Sequence, residues 1–505
     1  MTNALRQANF LAVVLAAAVL TGCGGNSDSS QRLADSSQAE AATPVAGINP
    51  HIATVPIHGE HLDAVTSVNY SIAAQAGTVS KPVSVTMSRD YLSRYGYAGS
   101  DAQSLTVPVF GLYDGAENAV TVTLTFSDQS TLALPVSVTA AADVLDVYST
   151  PQVQQARAPG SALGFDFLYI KGITDVGLII LDTDGRVRWH GPTPNWNSAP
   201  STFLNGEFVV GRGGSAYITR IGLDGSVIFT THPEGSVFQH DLENGKAGVI
   251  DNVDVMINGV SYPEAIAEEI MPDGTILKTW DLGVILSDFM SANGDDPALF
   301  VRPPVDWFHM NTAIYVPEDE SIIVSSRENF LVKLDYETGA IRWIFGDPEK
   351  YWYTFPSLRS KSLALAEGGH VPIGQHAVTI TPDGKLMIFN NGEPSLNQPE
   401  GTPAGASRPY SEVSAYTIDE ASMTATQAWS FDYGQAILSR FCSSARQTAD
   451  GSVLVDYATA ESITAAYLVG LDPQHNVVFD YRYPSTACNI AWNSQPFPFD
   501  ALTLD

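Results

Sequence analysis

The sequence predicts an all-β protein, in which a β-propeller of about six blades follows an N-terminal β-sandwich. Helix signals are scarce. Apolar and polar residues alternate with the period of a half-buried strand in four clear segments, at 83–87, 120–126, 226–229 and 453–457. Glycine (41 residues) and proline (30 residues) are frequent enough to supply many turns between such strands.

A recurring unit from about residue 150 onward favours the propeller. In each copy an acidic or polar turn with glycine leads into alternating residues that end in an aromatic side chain. The glycines of the six copies are Gly185, Gly225, Gly274, Gly339, Gly384 and Gly451. Asp-Gly and Thr-Gly between strands are hairpin signals, and their repetition at intervals of roughly 40 to 65 residues is typical of propeller blades. A series of two-sheet sandwiches is the alternative.

The N-terminus has the features of a targeting segment, residues 1–22. Arg6 is the basic residue that precedes an apolar run, Phe10 to Leu20, which is too short to span a bilayer as a helix. The run ends in Leu-Thr-Gly before Cys23, which resembles the lipobox of bacterial lipoproteins. We expect Cys23 to carry lipid, and since Gly24 is not acidic, we expect a periplasmic protein anchored in the outer membrane. An ordinary signal peptide with an incidental cysteine is the alternative.

Three regions follow the targeting segment. Residues 23–47 consist of Ser, Ala, Asp, Gln and Gly with few large apolar side chains, and they predict a flexible tether. Residues 48–148 have strand patterns without the recurring turn unit and predict the β-sandwich domain. Residues 149–505 hold the repeats and predict the propeller, which contains the candidate catalytic residues described below.

The charge of the chain limits its partners. There are 55 acidic and 25 basic residues, for a net charge of −30. Such a surface repels nucleic acid and anionic lipid headgroups, so we expect no nucleic-acid partner and membrane contact only through the lipid anchor. An anion site in this chain has to create its own positive field from arginine and histidine.

Cys442 and Cys488 remain after Cys23. An exported protein permits a disulfide between them, and a pair of free buried cysteines is the alternative. Two cysteines so far apart in sequence do not form a zinc site, and we expect no metal. The segment from Cys442 to Arg446 half-resembles the C-x-P-x-R signature of sulfatases, but it lacks the proline and precedes a turn in an all-β chain.

The most informative segment is Asp-Trp-Phe-His-Met-Asn at 306–311, followed by Ser-Ser-Arg at 325–327. It places His309, Asn311 and Arg327 on two neighbouring strands. Arginine supplies a permanent charge and a planar fork of donors, asparagine a neutral donor, and histidine a donor, acid or nucleophile. Together these groups suit a small oxyanion such as a sulfate ester.

Three histidines occur in similar settings: His240 in Phe-Gln-His-Asp, His309 in the segment above, and His376 in Gly-Gln-His-Ala. A strand that leads to a turn follows His309 and His376, and less clearly His240. If each histidine begins the innermost strand of a blade, three blades direct imidazoles toward one point of the channel. Three equivalent positions are difficult to explain by packing alone.

These segments resemble the bacterial arylsulfate sulfotransferase family, the type that does not use an activated nucleotide sulfate. Further segments with the same order and rough spacing are Pro-Val-Phe-Gly-Leu-Tyr at 108–113, Gly-Arg-Val-Arg-Trp at 185–189, Thr-Gly-Ala-Ile-Arg-Trp-Ile-Phe-Gly at 338–346 and Phe-Asn-Asn-Gly at 389–392. The resemblance covers most of the mature chain. It implies a six-bladed propeller with an N-terminal β-sandwich, a homodimer, and no cofactor.

The resemblance also implies a ping-pong reaction through a sulfohistidine, which moves a sulfuryl group from a phenolic sulfate donor to a phenol acceptor. His376 matches the nucleophile, and His240 is our candidate for the proton given to the leaving phenolate. Three residues are expected to hold the sulfuryl oxygens: His309, Asn311 and Arg327. Tyr113 matches a substrate-binding segment near the channel mouth. Asn390 stands where the family often has aspartate, and the wide spacing of Cys442 and Cys488 departs from the family's short disulfide loop.

Other functions remain as alternatives. A sulfatase would pass the sulfuryl group to water, and a binding propeller would catalyse nothing. A quinone-dependent dehydrogenase needs a stacking tryptophan and calcium ligands, and no such cluster is evident in the sequence.

Overall fold

The structure is a computed structural model, and it describes residues 32–505 except 144, 146–147, 149, 174–176, 193–198, 212–216, 232–235 and 258. The targeting segment and the predicted lipid attachment point Cys23 lie outside these residues. No helix within the described part of the chain is long and apolar enough to cross a membrane.

The N-terminal region consists of two sheets that enclose one hydrophobic core. Its strands are β1 (Glu40–Ala41), β2 (Val45–Ala46), β3 (Ile52–His58), β4 (Val65–Ile72), β5 (Val83–Ser88), β6 (Ser104–Phe110), β7 (Glu117–Phe126) and β8 (Thr131–Thr139), with helices α1 (Leu33–Ser36) and α2 (Arg89–Arg94). Strands β1, β2 and β6 pair with β3, and β5-β4-β7-β8 form the second sheet. Along β5 and β7 buried residues alternate with more exposed ones, which gives the second sheet one apolar face, and the buried residues of both sheets form one core.

The predicted tether is wrong for its second half. Residues 32–47 contain α1, β1 and β2, and they pack on the N-terminal sheets. The backbone N–H of Ala34 donates to Ser130 Oγ at 3.0 Å, and β1 pairs with β3. Small and polar residues order here because they complete the edge of an existing sheet, so backbone hydrogen bonds replace the apolar side chains that the segment lacks.

Six further sheets follow along the chain. Their strands, in chain order after β9 (Gln152–Gln155), are β10 (Phe167–Lys171), β11 (Ile179–Asp182), β12 (Val187–His190), β13 (Ser201–Leu204), β14 (Glu207–Gly211), β15 (Tyr217–Gly222), β16 (Val227–Thr231), β17 (Ser236–Asn244), β18 (Val249–Ile257), β19 (Val260–Ile270), β20 (Ile276–Asp281), β21 (Met310–Val316), β22 (Ser321–Ser326), β23 (Phe330–Asp335), β24 (Ile341–Gly346), β25 (Ala364–Leu365), β26 (His376–Ile380), β27 (Leu386–Asn390), β28 (Glu412–Asp419), β29 (Thr424–Phe431), β30 (Ser444–Gln447), β31 (Val453–Thr459), β32 (Ala465–Leu471), β33 (Val477–Pro484), β34 (Asn493–Pro496) and β35 (Leu502–Leu504). Helices α3 (Leu282–Ala292), α4 (Pro356–Arg359) and α5 (Ala460–Ile463), with four short 3₁₀ turns, complete the described elements.

Each of the six sheets is built from neighbouring antiparallel strands. The sheets are β34-β10-β11-β12, β13–β16, β17–β20, β21–β24, β26-β27-β28-β29 with β25 at its edge, and β30–β33 with β9 at its edge. Consecutive sheets meet along one edge strand of each: β13 contacts β17, β17 contacts β21, β21 contacts β26, β26 contacts β30, and β30 contacts β34. Strand β9 precedes the first sheet yet pairs in the last, and β34 follows the last sheet yet pairs in the first, so the two ends of this region are interlocked.

The recurring turn unit forms a hairpin in every copy. Its six glycines have φ between 69° and 95°, a conformation in which side chains with a Cβ are strained. Four of these hairpins join the third and fourth strands of a sheet, whereas Gly384 and Gly451 lie between the first and second strands. This difference explains why the spacing of the unit is irregular in the sequence.

The aromatic residue that ends the unit packs between sheets. Trp189, Trp280 and Trp343 are buried on fourth strands. Their indole N–H groups donate to Leu223 O at 2.7 Å, Tyr336 O at 3.2 Å and Glu420 Oε1 at 3.0 Å, each in a turn of another sheet. Each tryptophan therefore supplies apolar area to the space between two sheets and one hydrogen bond that sets their alignment.

The last strand departs from the predicted division at residue 148. Strand β35 pairs in parallel with β5, so residues 502–504 complete an N-terminal sheet rather than the repeats. Leu502 and Leu504 are buried in the N-terminal core while Thr503 is exposed. Backbone pairing with β5 places residues 502–504 in the N-terminal sheet. The sequence of such a short strand does not identify β5 as its partner.

We expect Leu504→Ala to lower the free energy of unfolding by about 2–5 kcal/mol, because it removes a buried side chain from the core shared by β35 and β5. The matched control Thr503→Ala, on the exposed face of the same strand, should change it by less than about 0.5 kcal/mol. Urea denaturation of both variants measures the difference. Equal effects would contradict the docking of β35.

Candidate active site

Three histidines lie close together where successive sheets meet. His240 lies at a bulge in β17, His309 immediately precedes β21, and His376 is the first residue of β26. The ring centre of His240 is 4.8 Å from that of His309 and 6.4 Å from that of His376. The sequence expectation that the three histidines occupy equivalent positions on first strands agrees with this geometry.

Glu264, on β19, bridges two of the histidines. Its Oε1 lies 2.9 Å from Nδ1 of His240 and its Oε2 lies 2.8 Å from Nδ1 of His309. Burial raises the pKa of this carboxyl, but the charges and hydrogen bonds of the two histidines outweigh burial and hold the pKa of Glu264 below its ordinary value. Glu264 is therefore an anion that lies within ion-pair distance of both Nδ1 atoms.

His309 is held as a cation. Its Nδ1 also lies 2.5 Å from Oδ2 of Asp306, which additionally accepts the backbone N–H of His309 through Oδ1 at 3.0 Å. Burial lowers the pKa of His309, but the hydrogen bonds to Asp306 and Glu264 outweigh it and raise the pKa to about 10. By distance, His240, Glu264 and His309 could hold a metal ion, but the proton on His309 competes with one.

His376 has the opposite electrostatic environment. Its Nδ1 donates to Oδ1 of Asn391 at 2.8 Å, and the amide of Asn391 is oriented because its Nδ2 donates to Ser439 O at 2.8 Å and Cys442 O at 3.1 Å. Burial, with the charges of His240 and Arg327, holds the pKa of His376 well below its ordinary value. His376 is therefore a neutral imidazole with its proton on Nδ1 and a lone pair on Nε2.

Arg327 brings a buried positive charge to this site. Its Nη1 donates to Glu328 at 2.7 Å, and its backbone N–H donates to His309 O at 3.0 Å. Its Nη2 is buried and has no hydrogen-bond partner among the described residues. Glu328 is held in turn by the backbone N–H groups of Leu396 and Asn397. The guanidinium is thus fixed through Nη1, and its Nη2 is left to donate to a bound anion.

Asn311 is placed differently from the sequence expectation. Its Nδ2 donates to the carbonyl of Gln375 at 2.6 Å, so one of its two amide hydrogens is already used. The side chain of Gln375 donates to Ser326 O at 2.8 Å. These bonds connect the segment before His376 to the segment before Arg327, so Asn311 positions these two neighbours.

Two aromatic side chains border the site. The Trp492 ring lies 5.4 Å from that of His240, and Cζ of Arg327 lies 5.6 Å above the Phe441 ring. Both rings are partly exposed, and both pack on the cluster formed by Cys442 and Cys488. These two cysteines form a disulfide, which confirms the pairing that their spacing had left open.

The half-match to a sulfatase signature has no matching structure. Cys442 is oxidised in the disulfide, so its thiol is not available for chemistry. Arg446 lies on β30 and forms an ion pair with Glu243. The interpretation of this segment as a coincidence agrees with both observations.

Tyr113, which the family resemblance implies as a substrate-binding residue, packs against Arg188 in the structure. Its ring is buried under Arg188, whose Cζ lies 3.5 Å from the ring centre. Arg188 is on β12, the strand of its sheet farthest from the first-strand contacts. Arg188 also donates to Gly111 O and to Asp182, in the core between the N-terminal sheets and the repeats. The segment that contains Tyr113 therefore has a structural role at this junction.

Sequence reasoning missed Glu264, Asn391 and Gln375 as site residues. Gln375 and Asn391 stand in segments that carried the family resemblance, but only as neighbours of other residues. Glu264 lies in no recognised motif. Its φ of 47° is unusual for glutamate and marks a distortion in β19 that no sequence pattern announces.

Comparisons with known proteins place the chain in a family. The model of the arylsulfotransferase (ASST) family matches residues 153–493. Arylsulfate sulfotransferase AssT of Escherichia coli O6:H1 (strain CFT073) is 33% identical over 156 residues, and that of Lelliottia amnigena is 30% identical over 152 residues. These matches cover 27% and 26% of the chain and 24% of each relative, so the chain aligns with about a quarter of their length.

Solved structures give a more distant likeness. The β-propeller domain of Cps50 (Swd1) from Myceliophteria thermophila is 9% identical with a TM-score of 0.34, over 66% of this chain and 89% of that chain. BamB from Moraxella catarrhalis is 14% identical with a TM-score of 0.28, over 74% of this chain and 86% of that chain.

We expect His309 to stay doubly protonated at pH 8, and Glu264→Gln to lower its pKa toward the ordinary value of 6.5. Because the folded pKa is raised, the stability that this proton provides is complete below about pH 6.5 and is lost as the pH rises to about 10. Nitrogen-15 NMR of the imidazoles and urea denaturation across this range measure both effects. The control Glu367→Gln changes an exposed glutamate, and an equal shift in that variant would contradict the role of Glu264.

Proposed function

The chain belongs to the arylsulfotransferase family, and we propose that it moves a sulfuryl group from a phenolic sulfate ester to a phenol through a sulfohistidine on His376. The observation that carries this proposal is the difference in protonation between neighbouring histidines. A buried neutral His376 offers a lone pair, and beside it His309 and Arg327 offer positive charge. A nucleophile and an oxyanion site are the two parts that sulfuryl transfer requires.

In the first half-reaction, Nε2 of His376 attacks sulfur, an N–S bond forms, and the bond from sulfur to the aryl oxygen breaks. The ring becomes positively charged, and the hydrogen bond from Nδ1 to Asn391 strengthens accordingly. The transition state is loose by analogy with phosphoryl transfer, so fixed charge at the sulfuryl oxygens contributes most. His309 and Arg327 provide that charge, and the second amide hydrogen of Asn311 adds a neutral donor.

His240 is the proposed proton carrier. Its Nδ1 faces Glu264, which leaves Nε2 to give a proton to the departing phenolate. In the second half-reaction a phenol gives its proton to the same Nε2 and its oxygen attacks sulfur. The N–S bond then breaks and His376 returns to its neutral form, so the two half-reactions balance.

Trp492 and Phe441 are the proposed contacts for the aryl ring. Both are partly exposed aromatic surfaces, one beside the proton carrier His240 and one beside Arg327. An aryl group stacked there would have its ester oxygen directed toward the histidines. We also propose that Asn391 keeps His376 in the reactive tautomer.

The remaining expectations are proposals of the same kind. The six sheets would be the blades of one propeller, which their contacts along first strands support, and the two N-terminal sheets would form a sandwich that mediates a homodimer. A lipid on Cys23 would anchor the protein in the periplasm, at the outer membrane. The disulfide supports an oxidising compartment.

We expect His376→Ala to abolish transfer from an aryl sulfate to a phenol, because it removes the buried neutral imidazole whose Nε2 is the proposed nucleophile. Intact-mass measurement of the wild-type protein with donor alone should show a gain of one sulfuryl group, which disappears when phenol is added. His475→Ala, away from the cluster, is the control. Transfer that persists in His376→Ala would refute the proposal, and rapid release of free sulfate without a mass gain would favour hydrolysis.

We expect Asn391→Ala to lower kcat by about 10–100-fold with a small change in KM, because His376 loses the acceptor that orients it. Asn391→Asp retains an acceptor and adds a negative charge, which raises the pKa of His376 and moves the acid limb of the pH–rate profile to higher pH. Asn390→Ala, which removes a neighbouring amide bonded only to backbone, is the control. An unchanged pH profile in Asn391→Asp would contradict the positioning role.

A further inference from the structure

A second cluster of two histidines and a carboxylate lies far from the catalytic histidines in sequence. His51 precedes β3, Asp143 follows β8, and His190 ends β12. Nε2 of His51 lies 2.8 Å from Oδ2 of Asp143, and Nε2 of His190 lies 3.4 Å from the same oxygen. The three side chains are 0%, 7% and 8% exposed, so they form a closed junction between the N-terminal sheets and the first sheet of the repeats.

Backbone carbonyls determine which nitrogen of each ring carries a proton. Nδ1 of His51 lies 2.8 Å from Leu112 O, and Nδ1 of His190 lies 2.7 Å from Gly191 O. A carbonyl oxygen only accepts hydrogen bonds, so both Nδ1 atoms must donate. In the neutral rings, both Nε2 atoms then present lone pairs to the carboxylate of Asp143.

Adding protons to the two rings does not give both Nε2 atoms a favourable partner. A second proton on His51 would pair its Nε2 with Asp143, but Nε2 of His190 is buried without a hydrogen-bond partner among the described residues. A second proton on both rings would place two imidazolium groups in contact, with ring centres 5.6 Å apart, on one buried carboxylate. A divalent cation between the three atoms satisfies all of them at once.

We propose that Nε2 of His51, Oδ2 of Asp143 and Nε2 of His190 bind a divalent transition-metal ion, with Zn²⁺ as the best match. Two imidazoles and a carboxylate are ligands that Zn²⁺ prefers, and bonds of about 2.0–2.1 Å place tetrahedral ligands about 3.3 Å apart. The ligand atoms all lie within 4.8 Å of one another, so only small side-chain shifts are needed. Imidazole ligands commonly donate their other nitrogen to a carbonyl, as both rings do here.

The ion would have a structural role. It joins the segment before β3, the connection after β8 and the end of β12, and these three segments otherwise meet through hydrogen bonds such as Asn49 Nδ2 to His190 O at 2.9 Å. A bound ion therefore stabilises the junction between the two regions of the chain. The proposal departs from the sequence expectation of no metal, which rested on cysteine spacing.

The test compares zinc content and thermal stability in the wild-type protein and His190→Gln. After dialysis against chelator and addition of Zn²⁺, the wild-type protein should retain one equivalent of zinc more than His190→Gln through gel filtration, measured by elemental mass spectrometry. Added Zn²⁺ should raise the wild-type Tm by several degrees and leave the Tm of His190→Gln unchanged. X-ray absorption of the zinc-loaded protein should show nitrogen and oxygen neighbours.

Two controls keep the result specific. His58→Gln removes an exposed histidine from β3, and it should bind zinc like the wild-type protein. His309→Gln alters the other histidine and glutamate cluster, and it should keep the equivalent that His190→Gln loses. If zinc neither stays bound to the wild-type protein nor changes its Tm, the cluster is a hydrogen-bonded pair only. Absence of zinc binding by the wild-type protein would overturn the proposal. Loss of the bound zinc in His309→Gln would overturn it as well. Neither result depends on whether His190→Gln folds.

Discussion

The contact between Glu264 and two histidines is the interaction on which the site depends. A carboxylate buried beside imidazoles lies within ion-pair distance of both Nδ1 atoms, and with Asp306 it raises the pKa of His309 to about 10. In a chain of net charge −30, long-range attraction cannot concentrate an anion at this point. The local positive field has to be held in a buried place where solvent does not screen it, and Glu264 holds it there.

The same residue type has two different states within one cluster because the surroundings differ. His309 faces two carboxylates and is charged, while His376 faces an amide oxygen and is neutral. Pushing apart the pKa values of neighbouring groups is a general way to separate an electrostatic role from a nucleophilic one. Burial and the charges of His240 and Arg327 keep His376 neutral, whereas Asn391, oriented by carbonyls beside the disulfide, determines that its proton is on Nδ1.

The positions of these groups depend on ties between sheets rather than within them. Asn311 and Gln375 connect three segments that belong to two sheets, and tryptophans on fourth strands align neighbouring sheets. Strands β9, β34 and β35 cross between the beginning and the end of the chain. A reaction that depends on placing charge within fractions of an ångström requires such support, since each first strand contributes only one or two groups.

Sequence alone was sufficient for the all-β class, the hairpins at the six glycines, and the three histidines, because these follow from local periodicity, turn chemistry and short motifs. Tertiary structure decided the rest. The carboxylate of Glu264, the acceptor Asn391, the position of Tyr113 under Arg188, and the junction of His51 with Asp143 and His190 all join segments that are distant in sequence. Protonation is a property of such surroundings, since burial and neighbouring charges shift each pKa. A sequence names the imidazole, and only the fold determines whether it is a cation, a nucleophile or a ligand.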